Sequence, residues 1–240
     1  KPYNKNCQIN KDENHYFDKL FPNNTLVRKY VIRLLASFLH GRQFGENFYM
    51  WTGTGANGKS KFINLIENTF GQYCGKMDVS YITQKRQSSG AASPVLAGTK
   101  GKRFVTMEEP ESGDKINTGI MKQLTGGDRI TARNLYESPV EFLNQNNYCL
   151  MCNELPEVTA IDGGTRRRIR AIQFKATFSE NPEADNPYHF KKEQIDNEIA
   201  NIWPETFMSI LIETWNGEKG IKKVEQGKTV GVKITEPTCV

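Results

Sequence analysis

The amino-acid sequence predicts an α/β fold in which helices flank a mostly parallel central sheet. The first observation is a length of 240 residues with 37% hydrophobic residues, enough for one α/β domain with additions or for two small domains. The second is the alternation of short apolar runs with segments of helical periodicity, which is typical of parallel sheets. The third is a glycine-rich turn that joins the first apolar run to a helix.

The first part of the chain predicts a helix, a strand and a second helix. Residues 1–24 are polar and turn-rich apart from two short apolar pairs. Apolar residues then recur at positions 26/27, 30/31, 34/35 and 38/39, the stripe of an amphipathic helix, which Gly41 ends. The next predicted elements are a buried strand, the glycine-rich turn, and a helix with its terminating glycine: 47–51, 53–58, Lys59–Phe70 and Gly71.

The rest of the chain predicts the remainder of the sheet. Segment 80–101 is basic and rich in small residues, part helix at 91–97 and part loop, and a buried strand at 103–107 follows it. A polar turn at 134–137 between alternating residues predicts a hairpin over 129–142. The other predicted elements are a short helix, two strands and two helical segments: 117–124, 147–152, 169–174, 190–200 and 203–215.

Composition limits the classes of protein to which the chain can belong. It is too polar for a membrane protein, and its longest apolar stretches, 31–39 and 209–212, are far shorter than a spanning helix. The net charge of +5 permits nucleic-acid binding without arguing for it. Five cysteines without a regular framework suit a reducing compartment, and the apolar run around Cys149 and Cys152 favours a buried strand over a zinc site.

A glycine-rich motif provides the strongest chemical signal. It fits G-x-x-x-x-G-K-[ST] without deviation, between a predicted strand and a predicted helix, so a chance match is the weaker interpretation. Such a loop wraps the β-phosphate with backbone N–H groups, while Lys59 reaches the β- and γ-phosphates and the Ser60 hydroxyl binds Mg²⁺. We therefore expect ATP and Mg²⁺ as cofactors, bound by the motif residues Gly53, Thr54, Gly55, Ala56, Asn57, Gly58, Lys59 and Ser60.

Acidic and amide side chains follow two later predicted strands. Glu108 and Glu109 come directly after the strand at 103–107, and we assign Glu108 to the metal and Glu109 to the attacking water, the reverse order being open. Asn153 ends another apolar strand, at the carboxyl edge where α/β folds bind ligands, and there it can position the water near the γ-phosphate. The plainer alternatives are a solvated acidic turn and an ordinary turn residue.

A cluster of arginines follows the flexible segment 162–164. One interpretation is an arginine finger, in which Arg167 or Arg168 reaches the γ-phosphate bound by a neighbouring subunit. Hydrolysis of ATP would then require oligomerisation. The other interpretation is a solvated basic turn.

Together these motifs resemble those of superfamily 3 helicases, which are AAA+ P-loop NTPases. The motif at 53–60, with Asn57 before Gly58 and Lys59, resembles the Walker A motif of that family. Further matching blocks follow in the expected order, at 101–109, 122–133, 153–156 and 162–174. The resemblance covers roughly residues 26–215 and is to the helicase portion of the primase-helicases of large DNA viruses (poxvirus type), phages and plasmids.

The resemblance implies an ATP-dependent DNA helicase that works as a ring, usually a hexamer, and separates DNA strands during replication. Its partners would be single-stranded DNA or a forked duplex, further copies of the chain, and a primase domain or other replication proteins, with no membrane. It would work in the cytoplasm of a host cell, at viral or mobile-element replication sites. The resemblance also implies a division of the chain into three parts. These are a helical lid or collar at 1–45, the AAA+ core at 46–180, and a C-terminal helical segment and tail at 181–240. Because the sequence opens without Met, we expect a fragment of a longer protein.

In that family a hairpin projects into the central pore. Carried onto this sequence, the resemblance places the tip near 133–137, where Arg133 and Tyr136 would contact DNA by charge and stacking. Because the tip carries a glutamate and no lysine, Lys115 and Lys122 are alternative DNA contacts. The plainer interpretation is an edge hairpin without a DNA contact.

Two other functions compete with the helicase interpretation. One is a DNA-binding or assembly module that binds ATP without unwinding DNA, which would show neither DNA-stimulated turnover nor opening of a tailed duplex. The other is a small-molecule P-loop kinase, which leaves the arginine cluster and the hairpin unexplained and which a nucleotide-phosphorylation assay tests.

Overall fold

The computed structural model describes residues 7–43, 45–85, 92–216, 221–225 and 228–232. The helices are α1 Gln8–Leu20, α2 Thr25–Phe38, α3 Lys59–Phe70, α4 Ser80–Thr83, α5 Pro94–Ala97, α6 Thr118–Thr125, α7 Gly163–Arg166 and α8 Trp203–Asn216, with a 3₁₀ turn at Gly71–Tyr73 and a π-helix at Glu198–Ile202. The strands are β1 Phe48–Thr52, β2 Cys74–Lys76, β3 Phe104–Met107, β4 Lys115–Ile116, β5 Arg129–Ala132, β6 Val140–Leu143, β7 Asn147–Cys152, β8 Glu157–Val158, β9 Ile169–Gln173, β10 Thr177–Ser179, β11 His189–Lys191, β12 Lys222–Glu225 and β13 Lys228–Val232.

The chain divides into two compact units, each built from segments that are distant in sequence. The first unit consists of Lys1–Leu39, Gly53–Gly71 and Gln173–Val240. The second consists of His40–Thr52 and Gln72–Ile172.

The second unit contains a five-stranded sheet with the order β2-β3-β7-β1-β9. The pairs β2–β3, β3–β7 and β1–β7 are parallel, and in the last pair Phe48 lies opposite Tyr148. All five residues of β1 and all four of β3 are buried, as expected for central strands covered on both faces. Because these strands are parallel, the residues that follow β3 and β7 lie at one edge of the sheet and the residues that precede them lie at the other.

The first unit has a core of aromatic side chains contributed by α1, α3 and α8. The ring centroid of Phe17 lies 5.9 Å from that of Phe62 and 5.4 Å from that of Phe207, and all three side chains are at most 1% exposed. Offset and edge-to-face pairs at these distances stabilise a core beyond the burial of apolar area alone. Near this core, the side chain of Glu13 on α1 is fully buried, and its two carboxylate oxygens make no hydrogen bond to the described residues.

The mostly parallel α/β sheet is confirmed, and so is the hairpin, since β5 and β6 pair antiparallel. The helix over Lys59–Phe70 and the strand over Asn147–Cys152 have the predicted bounds. The prediction that Cys149 and Cys152 lie on a buried strand is also correct. Among the described residues no helix combines the length and the apolar character needed to cross a membrane.

Two predicted segments differ from the structure. Residues 1–24 were expected to be turn-rich but contain helix α1. Only one face of this helix is buried, so most of its residues are polar and its helical periodicity is weak. The helical prediction for 190–200 is wrong in its first half, because His189–Lys191 forms a strand paired with β10 and the helical backbone begins later. Of the helix predicted at 91–97, Pro94–Ala97 is helical and residue 91 lies outside the described residues.

Candidate functional site

The glycine-rich loop at 53–58 has a positive φ angle at three of its positions. It follows directly on Thr52, the last residue of β1, and ends at Gly58, which caps α3 with φ +78°. Gly53 has φ +146°, and a Cβ atom there would lie 2.6 Å from the carbonyl oxygen of Phe174, closer than such atoms approach. Ala56 also has a positive φ of 60°. The loop therefore requires Gly53 for both space and conformation.

The lysine of the motif turns back into the loop. Its Nζ donates a hydrogen bond of 3.2 Å to the carbonyl oxygen of Gly53, and its backbone N–H donates to Asn57 Oδ1 at 3.1 Å. Lys59 is only 9% exposed. The Nδ2 of Asn57 is buried and has no hydrogen-bond partner among the described residues. A donor left unpartnered in a buried position is costly, so the loop retains unsatisfied capacity for a hydrogen-bond acceptor.

The outer part of the loop is open to solvent. Thr54, Gly55 and Ala56 are exposed, as is Ser60 in the first turn of α3. A twelve-residue helix directs its first N–H groups and the positive end of its dipole toward this loop. The backbone donors, the buried Asn57 amide and the lysine charge together fit a polyphosphate anion.

A carboxylate and an amide meet at the carboxyl ends of β3 and β7. The backbone N–H of Asn153 donates to Glu109 Oε1 at 2.8 Å, and its Nδ2 donates to Glu109 Oε2, also at 2.8 Å. This two-point contact fixes the orientation of the carboxylate. Glu108, the adjacent residue, is exposed. The sequence predicted both residues for the site, but it gave no sign that one would hold the other.

An open cavity of about 660 Å³ adjoins the Glu109–Asn153 pair. It lies between the segment after β3 and the segment after β7, and among its lining residues the acidic ones outnumber the single basic one, Lys115. The acidic side chains that line it are Glu109, Glu111, Asp114, Glu154 and Glu157. Among the described residues no group of three or more His, Cys, Asp or Glu side chains is arranged to hold a metal ion.

The two candidate finger arginines have different surroundings. Arg168 is buried, and its guanidinium donates to Thr125 Oγ1 at 3.1 Å and to the carbonyl oxygen of Gly164 at 3.0 Å. Its Nη2 also lies 2.9 Å from a carboxylate oxygen of Glu46. Arg167 lies 2.5 Å from the same carboxylate, but its side chain is 62% exposed. Arg168 is therefore held by partners within its own chain, while the side chain of Arg167 is largely exposed.

Glu46 is one residue of this region that the sequence did not predict. It pairs with both arginines although more than a hundred residues separate them in the chain. No motif marks it, because an isolated glutamate before a strand is an ordinary surface residue.

Lys122 is held by an ion pair. Its Nζ lies 2.6 Å from Asp162 Oδ2, and Asp162 also caps α7 by accepting a hydrogen bond from the backbone N–H of Thr165. The hydrogen bond from Lys122, with the one from Thr165, lowers the pKa of Asp162 well below its usual range. The ammonium of Lys122, a predicted DNA contact, is thus paired with an acidic side chain of the same chain.

The hairpin presents an aromatic side chain at its tip. Strands β5 and β6 pair from Arg129–Leu143 to Ala132–Val140. Tyr136 has φ +62° and its side chain is fully exposed. Arg133 lies at the base of the turn, partly buried, and its carbonyl oxygen accepts a hydrogen bond of 2.8 Å from Ser93. Leu135, which is 63% exposed, is a further apolar residue at the tip that the sequence analysis did not name.

Comparisons with known proteins place this chain among viral relatives. Residues 51–168 match the model described as "Family of unknown function (DUF5906)". The chain is 42% identical over 205 residues to a "Putative helicase" of Acanthamoeba polyphaga mimivirus, covering 85% of this chain and 21% of that protein. It is 34% identical over 167 residues to a "Putative helicase" of Frog virus 3 (68% and 17%), and 28% identical over 190 residues to a "Putative primase" of African swine fever virus (73% and 19%). The chain thus spans about a fifth of the length of these relatives.

Solved structures share the fold. The apo structure of the C-terminal region of NrS-1 superposes with a TM-score of 0.63 at 17% identity, covering 88% of this chain and 47% of that one. The A form of the same region gives 0.60 at 18% identity, covering 88% and 46%. The chain is therefore an α/β protein that is homologous to viral proteins named as helicases and primases.

Proposed function

We propose that this chain is the ATP-hydrolysing part of a viral replication helicase of the superfamily 3, AAA+ type. The observation that carries the proposal is the loop at 53–59, where a motif of Walker A sequence has a strained glycine backbone, an inward lysine and a buried unpartnered amide. The names of the viral relatives support a role in DNA replication. When bound, Mg-ATP supplies the phosphoanhydride bond whose cleavage drives movement.

The residues of the chain divide the work of binding. The backbone of 53–58 and the Lys59 ammonium hold the phosphates, and Lys59 exchanges its bond to the Gly53 carbonyl for one to a phosphate oxygen. The Ser60 hydroxyl and Glu108 hold the magnesium ion. Such a division fits the exposed positions of both side chains.

Glu109 orients or deprotonates the attacking water. Its two hydrogen bonds from Asn153 fix the carboxylate plane, so that one lone pair on each oxygen remains for a water molecule. Asn153 thus acts as a positioning residue. The topology supports this role, since β3 and β7 are neighbours in the sheet and Glu108 and Asn153 each directly follow one of them.

Arg167 is the proposed finger toward a neighbouring subunit. Its guanidinium pairs with Glu46 of the same chain but its side chain is 62% exposed, whereas Arg168 is buried among three partners. A ring of subunits, usually six, would bring each finger to the next nucleotide. The Tyr136 side chain at the hairpin tip would then stack on the bases of single-stranded DNA in the pore.

The test of nucleotide hydrolysis is a pair of lysine variants on α3. We expect Lys59→Ala to lower the ATPase rate at least a hundredfold while the melting temperature stays unchanged, because the lysine contributes to phosphate binding in the loop. Lys61→Ala is the matched control, since Lys61 lies on the same helix, is partly exposed and pairs with Asp196. Equal rates for both variants and the wild type would remove the loop from the mechanism.

The test of the finger compares the two arginines. We expect Arg167→Ala to retain nucleotide affinity and to lose about 10³-fold or more in hydrolysis. We expect Arg168→Ala to lower thermal stability, because it leaves Glu46 and Thr125 without a buried partner. Full hydrolysis by Arg167→Ala would show that no finger lies in this turn. Stimulation of turnover by single-stranded DNA and opening of a tailed duplex separate a helicase from a module that only binds ATP.

A further inference from the structure

A basic and aromatic surface lies at the amino edge of the five-stranded sheet in the second unit. We call it the amino-edge patch and define it by His40, Arg42, Tyr73, Lys102 and Arg103. Each of these residues belongs to a segment that leads into a strand: the first two precede β1, Tyr73 precedes β2, and the last two precede β3. Arg42 is exposed and Tyr73 is 49% exposed.

Contacts among these residues show that the three segments form one surface. The guanidinium carbon of Arg103 lies 4.3 Å from the centroid of the Tyr73 ring, and its backbone N–H donates to the Tyr73 carbonyl at 2.7 Å. A Cβ atom on Gly41 would lie 3.5 Å from Arg103 Nε, which brings the segment before β1 to the same place. A cation stacked on an aromatic ring at this distance is an attractive contact.

Three positively charged side chains share this surface: Arg42, Lys102 and Arg103. Burial, then the nearby charges of Arg42 and Arg103, lowers the pKa of His40, as expected where cations gather. The ammonium of Lys102 donates 2.8 Å to the carbonyl oxygen of Gln72. Because that acceptor is neutral, the hydrogen bond orients the lysine without neutralising its charge.

The amino-edge patch is remote from the acidic residues at the carboxyl edge. Strand β3 (Phe104–Met107) lies between Arg103 and Glu108, and the five steps along the chain at about 3.3 Å each place the two about 16 Å apart. The patch is therefore a second surface, with a charge opposite to that of the acidic cavity.

We propose that the amino-edge patch binds single-stranded DNA, with Arg42 and Lys102 on the phosphates and the Tyr73–Arg103 stack as a platform for a base. Cations that track a backbone, interleaved with an aromatic face, are the features by which proteins hold single strands without reading their sequence. This binding requires no nucleotide, so the test of DNA binding by the patch is independent of the test of ATP hydrolysis. The DNA strand would lie at the amino edge of the sheet, opposite the carboxyl edge that carries the acidic cavity.

The experiment measures binding of a fluorescein-labelled oligo-dT strand to the full chain, without nucleotide, at several salt concentrations. Each single-strand phosphate contact contributes about 0.7 to the slope of log affinity against log salt. We therefore expect the double variant Arg42→Gln/Lys102→Gln to reduce the slope by about 1.4. We expect Tyr73→Ala to weaken binding about tenfold at one salt concentration, with little change in slope.

The matched control is Lys85→Gln, since Lys85 is exposed, lies in the same unit and is outside the amino-edge patch. Its slope and affinity should equal those of the wild type. A double variant that behaves like this control, with wild-type melting temperatures for all proteins, would overturn the proposal. Unchanged DNA affinity together with a changed particle mass would assign the patch to a protein contact and would also overturn it.

Discussion

The buried carboxyl group of Glu13 makes a quantitative prediction about stability and pH. Its side chain is fully buried on α1, and burial raises its pKa from 4.5 to about 8, against the attraction of Arg28. That guanidinium is already engaged by Asp18 and Asn14, so it neutralises Glu13 only in part. The carboxyl group is therefore protonated in the folded chain at neutral pH.

The size of the effect follows from the two pKa values. One pKa unit corresponds to about 1.4 kcal/mol, so the increase from 4.5 to about 8 corresponds to about 5 kcal/mol against the ionised form. Below pH 4.5 both folded and unfolded chains hold the proton, and the stability is fully present. Between pH 4.5 and 8 only the folded chain holds it, so the free energy of unfolding falls as pH rises.

The perturbation is Glu13→Gln, which keeps the size of the side chain and removes its titration. Urea unfolding at half-unit steps from pH 4 to 9 should give a wild-type free energy that declines by up to about 5 kcal/mol relative to the variant. Asp12→Asn is the control, because Asp12 is an exposed acid on the same helix. Parallel pH profiles for the wild type and Glu13→Gln would refute the reasoning, whatever the absolute stabilities.

Two further predictions concern the nucleotide site. Gly53→Ala should weaken the binding of an ATP analogue, measured by calorimetry, at least tenfold, because the new Cβ atom would collide with the Phe174 carbonyl and distort the loop. Gly55→Ala is the control, since a Cβ atom there has no neighbouring atom within 4 Å, and this variant should bind the analogue nearly normally. Asn153→Ala should lower the rate of phosphate release about a hundredfold while nucleotide affinity is retained. The reason is that Glu109 loses the hydrogen bond from Asn153 Nδ2 that aligns its carboxylate. An equal loss of nucleotide affinity would contradict a positioning role.

Local sequence signals were sufficient for elements whose ends carry a strong residue preference. Helix α3 begins after Gly58 and ends before Gly71, both with positive φ, and its predicted bounds are correct. Helix α1 carries no such signal, and its alternation of polar residues with a few aromatics gives a weak stripe. The strand His189–Lys191 forms because Thr177–Ser179 pairs with it, a long-range contact that overrides local helical preference.

Candidate residues could be proposed from the sequence, but their partners could not. The residues of a G-x-x-x-x-G-K-S motif can be assigned from the sequence alone, because phosphate binding requires that spacing. The bond between Glu109 and Asn153 depends on β3 and β7 being neighbours, which the strand order decides. The separation of Arg167 from Arg168 into an exposed and a buried residue depends on Glu46 and Thr125, which no local pattern connects to them.

The strand order also has a consequence for biosynthesis. Phe48 lies opposite Tyr148, so β1 leaves the ribosome about 100 residues before its partner β7 exists. At typical elongation rates this strand, which is fully buried in the finished fold, waits several seconds or longer, and contacts so distant in sequence form slowly even in a finished chain. During that interval the nascent polypeptide depends on chaperones, or on early collapse of its neighbouring helices, to keep β1 from aggregating.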